Sequence, residues 1–176
     1  MIDTQWPRFQ VFVQEKPGAP HQDVGSVHAP DAEIALLNAR DVFARRPECV
    51  SMWVVQADAI YSKTVEELQN RPTPNSDQLP VIRQTYYVAY KIKPAGTQTL
   101  VGSLEADSPA QAMEMAIEKY SGKVSPLVWW VFPAGLVIKS EPTEIDSLYA
   151  PAKDKTFRMS TDFHTFTAMR KLKDKS

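Results

Sequence analysis

Val24-Gly25-Ser26-Val27 returns as Val101-Gly102-Ser103-Leu104, and Trp53-Val54-Val55 returns as Trp130-Val131-Phe132. Both pairs stand 77 positions apart, and the same offset runs without a gap from Phe9 and Tyr86 to Lys63 and Ser140. Along it 12 of 55 positions are identical, among them Lys16-Pro17, Ala29, Ala35, Ala39 and Ala57. One offset carried through separate motifs marks an internal duplication, which has to be recognised before any element is placed. The chain divides into a first repeat over 1–63, a linker over 64–85 around the proline-rich Arg71-Pro72-Thr73-Pro74, a second repeat over 86–140, and a polar, aromatic tail over 141–176.

Each repeat reads as ββαβ. Phe9, Val11 and Val13 recur at every second position with Gln10 and Gln14 among the alternates, and Tyr86, Val88 and Tyr90 repeat the spacing in the second copy, which is the period of a half-buried strand. Lys16-Pro17-Gly18 and Lys93-Pro94-Ala95-Gly96 supply turn chemistry, so a hairpin follows, with return strands over roughly 22–29 and 99–106. Gly25 and Gly102 fall inside those strands and predict a bulge or a close backbone approach. Asp31 and Ser108 stand as helix N-caps, the latter followed by Pro109 and by Gln111 of a capping box. The helices carry small residues at 3–4 spacing, Ala35 and Ala39 against Ala112 and Ala116, and end near Pro47 and Gly122. The third strand, Met52–Val55 and Val128–Phe132, is continuously apolar and is therefore expected to be covered on both faces.

A right-handed crossover places the strands of one repeat in the order 2-1-3, leaving the third strand free to meet its counterpart. A lone unit of ~60 residues is marginal, since it buries only ~60% of its unfolded surface. The expected fold is therefore α+β: two ββαβ ferredoxin-like repeats packed as an intrachain pseudo-dimer.

The 176 residues include 43% hydrophobic and 23% charged side chains, an ordinary globular composition. A net charge of -1 gives no electrostatic case for nucleic acid or an anionic membrane. The sequence shows neither a leader pattern nor an apolar run of ~18 residues, and its single cysteine, Cys49, suits a reducing compartment. A cytoplasmic setting is expected.

Catalytic chemistry finds little to stand on. Cys49 lies before an apolar strand with no electropositive neighbours in sequence, and its second-copy counterpart is Pro126. His21, His28 and His164 lack zinc-type spacing, Glu-x-x-His is absent, and no glycine-rich phosphate loop occurs among 6 glycines. No catalytic, metal or cofactor-binding residue is assigned. What remains is aromatic and basic material of the kind that anchors interfaces. Trp53 and Trp130 are expected in the seam between the copies, while Trp6, Trp129, Arg45 and Arg46 stay open between core and interface.

The stretches Trp6-Pro7-Arg8-Phe9-Gln10-Val11-Phe12-Val13, His21-Gln22-Asp23-Val24-Gly25-Ser26-Val27-His28-Ala29, Ala35-Leu36-Leu37-Asn38-Ala39-Arg40-Asp41 with Arg45-Arg46, and Ser51-Met52-Trp53-Val54-Val55 resemble the PaaB family, the small B subunit of bacterial phenylacetyl-CoA epoxidase. Lys155-Thr156-Phe157-Arg158 followed by Phe163 is similar to the tail that ends the family's shorter chains. The resemblance is close in the first repeat and distant in the second. It implies a non-catalytic bridging subunit whose partners are a catalytic di-iron oxygenase subunit and a C-type companion, with no cofactor of its own. With it go docking assignments for Trp6, Arg40, Arg45, Arg46, Phe157 and Arg158, to which Trp129 is added as an interface candidate on its aromatic character alone, and self-association is left open. The family is known as chains about half this length. The other reading is a stand-alone small-molecule binder or enzyme using the cleft between the repeats.

Overall fold

The computed structural model describes residues 5–44, 49–69, 83–122, 124–141, 143 and 149. The first repeat supplies β1 (Arg8–Gln14), β2 (Gln22–His28), α1 (Ala32–Phe43), β3 (Ser51–Gln56), a 3-10 turn (Ala57–Ala59), β4 (Tyr61–Thr64) and α2 (Val65–Gln69). The second supplies β5 (Gln84–Lys91), β6 (Thr99–Ala106), α3 (Pro109–Tyr120), β7 (Val128–Pro133), a matching 3-10 turn (Ala134–Leu136) and β8 (Val137–Lys139). The caps form as the sequence implies. Asp31 Oδ1 accepts from Ile34 N at 2.8 Å, and Ser108 Oγ accepts from Gln111 N at 3.2 Å. Val24 and Val101 are the bulged residues, each followed by a glycine at positive φ, +129° at Gly25 and +157° at Gly102.

All eight strands join one antiparallel sheet in the order β4-β7-β5-β6-β2-β1-β3-β8. Within each repeat the order 2-1-3 holds. The contact between repeats differs from expectation. The third strands do not meet; β2 and β6 do, at the single register pair Gln22 and Thr99. Asp23 N donates to Gln98 O and Leu100 N to His21 O, both at 2.8 Å, and each bond maps onto the other under the 77-residue offset. The third strands instead take the last strand of the other repeat: β8 pairs with β3, and β4 with β7. The reason is steric. Laid flat, β3 and β4 would lie six strand spacings apart, ~29 Å. The four residues joining them span at most ~17 Å. The sheet must curl, and it does: Phe12 on β1 and Phe132 on β7 bring their rings to 5.4 Å.

Curling produces three cores. On the outer face α1 covers Phe9, Val11, Val13, Met52 and Val54, and α3 covers Tyr86, Val88, Trp129 and Val131. Alternate residues of the same strands, Phe12, Val55, Ala89, Phe132 and Val137, fill the inside of the curl. The third strands are thus buried on both faces, as their unbroken apolar runs require. Part of the expected linker is structured: α2 seats Leu68 against the second repeat's core. Tyr149, from the expected tail, is buried in the first.

Candidate interaction site and inter-repeat seam

Trp6 is 59% exposed, yet its backbone is held. His28 Nδ1 lies 2.9 Å from the Trp6 carbonyl oxygen, and Ala29 N donates to Pro7 O at 3.2 Å, so the Trp-Pro segment runs beside the end of β2. Asn38, on α1, donates from Nδ2 to the His28 carbonyl at 3.3 Å. On the other flank of the same helix the Arg40 guanidinium holds Asp41 Oδ1 through Nε at 3.2 Å and Nη2 at 3.0 Å, and the exposed Val42 stands one turn beyond Asn38. Under the repeat offset the positions of Trp6, His28, Asn38, Arg40, Asp41 and Val42 are occupied by Arg83, Glu105, Met115, Ile117, Glu118 and Lys119. The second copy carries a surface ion pair, Arg83 to Glu105 at 3.2 Å, where the first carries an exposed indole.

Of the residues the sequence singled out, Trp6 lies on the β2 side of α1 with Asn38, while Arg40, two residues along the helix, points from the other flank and pairs with Asp41. Trp129 does not reach the surface: it is 2% exposed in the core under α3, edge-on to Tyr90 at 5.4 Å. Its parity with Met52, which is also buried under its helix, was the signal for this. Arg45, Arg46, Phe157 and Arg158 lie outside the described residues. The core expectation for Trp53 and Trp130 holds, since both pack against the seam cluster.

One end of that seam is a set of rings closed by a cation, which sequence reasoning missed. His21 stacks on Trp53 at 4.0 Å and lies 3.0 Å from Ser51 Oγ through Nε2. Trp53 packs on Tyr87 at 4.9 Å. The Lys139 ammonium sits 4.5 Å from the Trp53 centroid and donates to the Tyr87 hydroxyl at 2.6 Å. Burial, and then the Lys139 charge, hold the His21 pKa down to about 4, so the imidazole is neutral near pH 7. Burial pushes the Cys49 thiol up, away from nucleophilic thiolate. Among the described residues no three His, Cys, Asp or Glu side chains group as metal ligands, and no helix is long and apolar enough to cross a membrane.

A family model described as phenylacetic acid degradation B, PaaB, matches the chain twice, over residues 5–93 and 83–170. The chain belongs to the PaaB family. Each match takes in one repeat, so the duplication read from the offset is two PaaB units in tandem. The B subunit of 1,2-phenylacetyl-CoA epoxidase from Escherichia coli (strain K12) is 48% identical to this PaaB chain over 67 residues, which are 38% of the chain and 70% of that relative. No solved structure matches the chain.

Proposed function

We propose that this chain is the B-type subunit of a multicomponent oxygenase acting on phenylacetyl-CoA or a related aromatic CoA thioester. In this reading it bridges the catalytic di-iron subunit and its C-type companion and supplies no reacting group. The observation that carries the reading is the Trp6 face of the first repeat. A large ring stands in solvent on a backbone already fixed to His28, so docking it costs little further ordering. We assign Arg40, on the other flank of α1, and Arg45, Arg46, Phe157 and Arg158 to the same partner; Trp129 leaves the set because it is buried. We also read the two halves as ferredoxin-like ββαβ units joined as an intrachain pseudo-dimer, a reading supported by the exchanged β4 and β8 strands. A cytoplasmic location goes with this role.

The test is co-expression with the catalytic and C-type subunits of the same host, purification through a tag on this chain, and mass by light scattering. The parent chain is expected to give a stoichiometric complex with no turnover by the chain alone. Trp6→Ala with Val42→Glu should weaken recovery about tenfold or more, the loss of one interface anchor. A parent chain that stays free of both subunits removes the bridging reading.

A further inference from the structure

The offset allows the two ends of the seam to be compared residue by residue. Trp130 stands where Trp53 stands, but every group that covers Trp53 is changed. Ser62 is the cross-strand partner of Trp130 as Lys139 is of Trp53, and its side chain is too short to lie over a ring. Gln98 replaces His21, and Val128 replaces Ser51, so the buried amide lacks the hydroxyl its counterpart uses. Gln98 is 4% exposed and its Oε1 has no hydrogen-bond partner among the described residues. A buried carbonyl oxygen left in this state is costly unless something donates to it. Beside Trp130 lies a pocket of about 480 Å³, lined by Asp23, Val24, Gly25, Lys91, Gln98 and Trp130 among others from both repeats.

We propose that the Trp130 pocket binds a hydrogen-bond-donating cation, an alkylammonium or guanidinium group, in the position the Lys139 ammonium holds over Trp53. The Trp130 ring face attracts positive charge. The Asp23 carboxylate provides an acceptor, and the buried, unpartnered Gln98 Oε1 becomes a second when its amide turns to the bound cation. Asp23 already takes Gln10 Nε2 at 2.6 Å and Gly25 N at 3.1 Å, which leaves part of its capacity free. A guanidinium, planar and weakly hydrated, matches a ring beside two acceptors better than an ammonium does. Lys91 is the pocket's own cation and the internal competitor. It attracts Asp23, while the described ring–ammonium contacts fall on Tyr61, Tyr120, Trp53 and Tyr87 and none on Trp130. The proposal stands on this pocket alone and is independent of the bridging role.

The experiment titrates the full chain with N-ethylguanidinium, butylammonium and, as the anionic control, butyrate, following the four tryptophan indole N–H resonances by NMR; Trp130→Phe assigns the signal. A saturable shift confined to Trp130 is expected with both cations and absent with butyrate. Gln98→Leu should weaken binding about fivefold, the worth of one hydrogen bond. Ser62→Lys should abolish it by supplying the missing plug, with the other three indole signals unmoved as the check on folding. Absence of saturation, unchanged binding in Ser62→Lys, or binding that emerges only in Lys91→Gln would overturn the proposal; the last outcome would mean that Lys91 itself fills the pocket. Ser62→Lys in the co-expressed complex then separates the sources. Weakened recovery assigns the cation to a partner side chain, and unchanged recovery assigns it to a free ligand.

Discussion

Gly102 shows how much a single residue carries. At φ +157° a Cβ would be strained, and it would also come against the Tyr120 hydroxyl, which lies over the bulge from α3. Gly102→Ala is expected to destabilise the fold by about 2 kcal/mol in urea unfolding. Adding Tyr120→Phe should return part of that loss, because only the clash is relieved. Gly135→Ala, which meets open space, should stay within about 0.5 kcal/mol. Equal effects at 102 and 135 would refute the account. His21 makes the second case. Its folded pKa of about 4 lies below the ordinary 6.5, so between these values the unfolded chain binds a proton that the folded chain refuses. Stability is therefore retained above pH 6.5 and lost as pH falls through the window, by up to roughly 3 kcal/mol from this group. Asp23, raised by its burial, slopes the opposite way just above its ordinary 3.8, so the difference between variants is the measurement. His21→Gln, the residue the second repeat uses at 98, should flatten the pH 4–6.5 profile; a parallel profile would exclude His21 as its source.

At the scale of elements, β8 has three residues and survives through its neighbour in sequence. Ser140 N donates to Met52 O at 2.8 Å and its Oγ accepts from Met52 N at 3.0 Å, which carries the ladder one residue further. Tyr149 then closes the first core at 3% exposure, with Cys49 and Ser140 against a hydroxyl that makes no hydrogen bond of good geometry among the described residues. Tyr149→Ala should cost about 3–5 kcal/mol, as for other large buried rings. Tyr149→Phe should be nearly neutral, because the hydroxyl gains little where it lies. Matching losses in the two variants would show that the hydroxyl and not the ring holds the segment. Elements of this kind also mark where the sequence is legible. The β1, β2, α1 and β3 pattern and its copy follow from period, caps and turn residues, all local signals. β4 and β8 are too short for a period, and their partners lie far off in sequence, Tyr61 with Val131 and Trp53 with Lys139, so nothing local names the edge they join. The exposure of Trp6 was legible in part, because a Trp-Pro before a strand has no neighbour in sequence to bury it. The ring–cation cluster was not, since Lys139, Tyr87, Trp53 and His21 converge only once the sheet curls.

The whole molecule is one sheet that neither repeat completes alone. β4 leaves the first repeat to finish the second, β8 returns the exchange, and Phe12, Val55, Ala89, Phe132 and Val137 meet only inside the joined curl. Cutting the chain should therefore separate covalent linkage from folding. Residues 1–70 and 83–176, co-expressed as separate chains, are expected to purify as a 1:1 complex, and its melting temperature should rise with concentration, whereas that of the intact chain should not. The dependence follows from losing the high effective concentration that a tether gives the second half. Each piece expressed alone should fail to give a cooperative monomeric transition, because its third strand lacks a neighbour and its inner apolar face is bare. Two pieces that each melt cooperatively as monomers would refute the shared sheet. If the complex forms but Ser62→Lys in the first piece raises its melting temperature, the open Trp130 end is the weaker side of the seam; the indole cluster already closed by Lys139 is the reason to expect that gain.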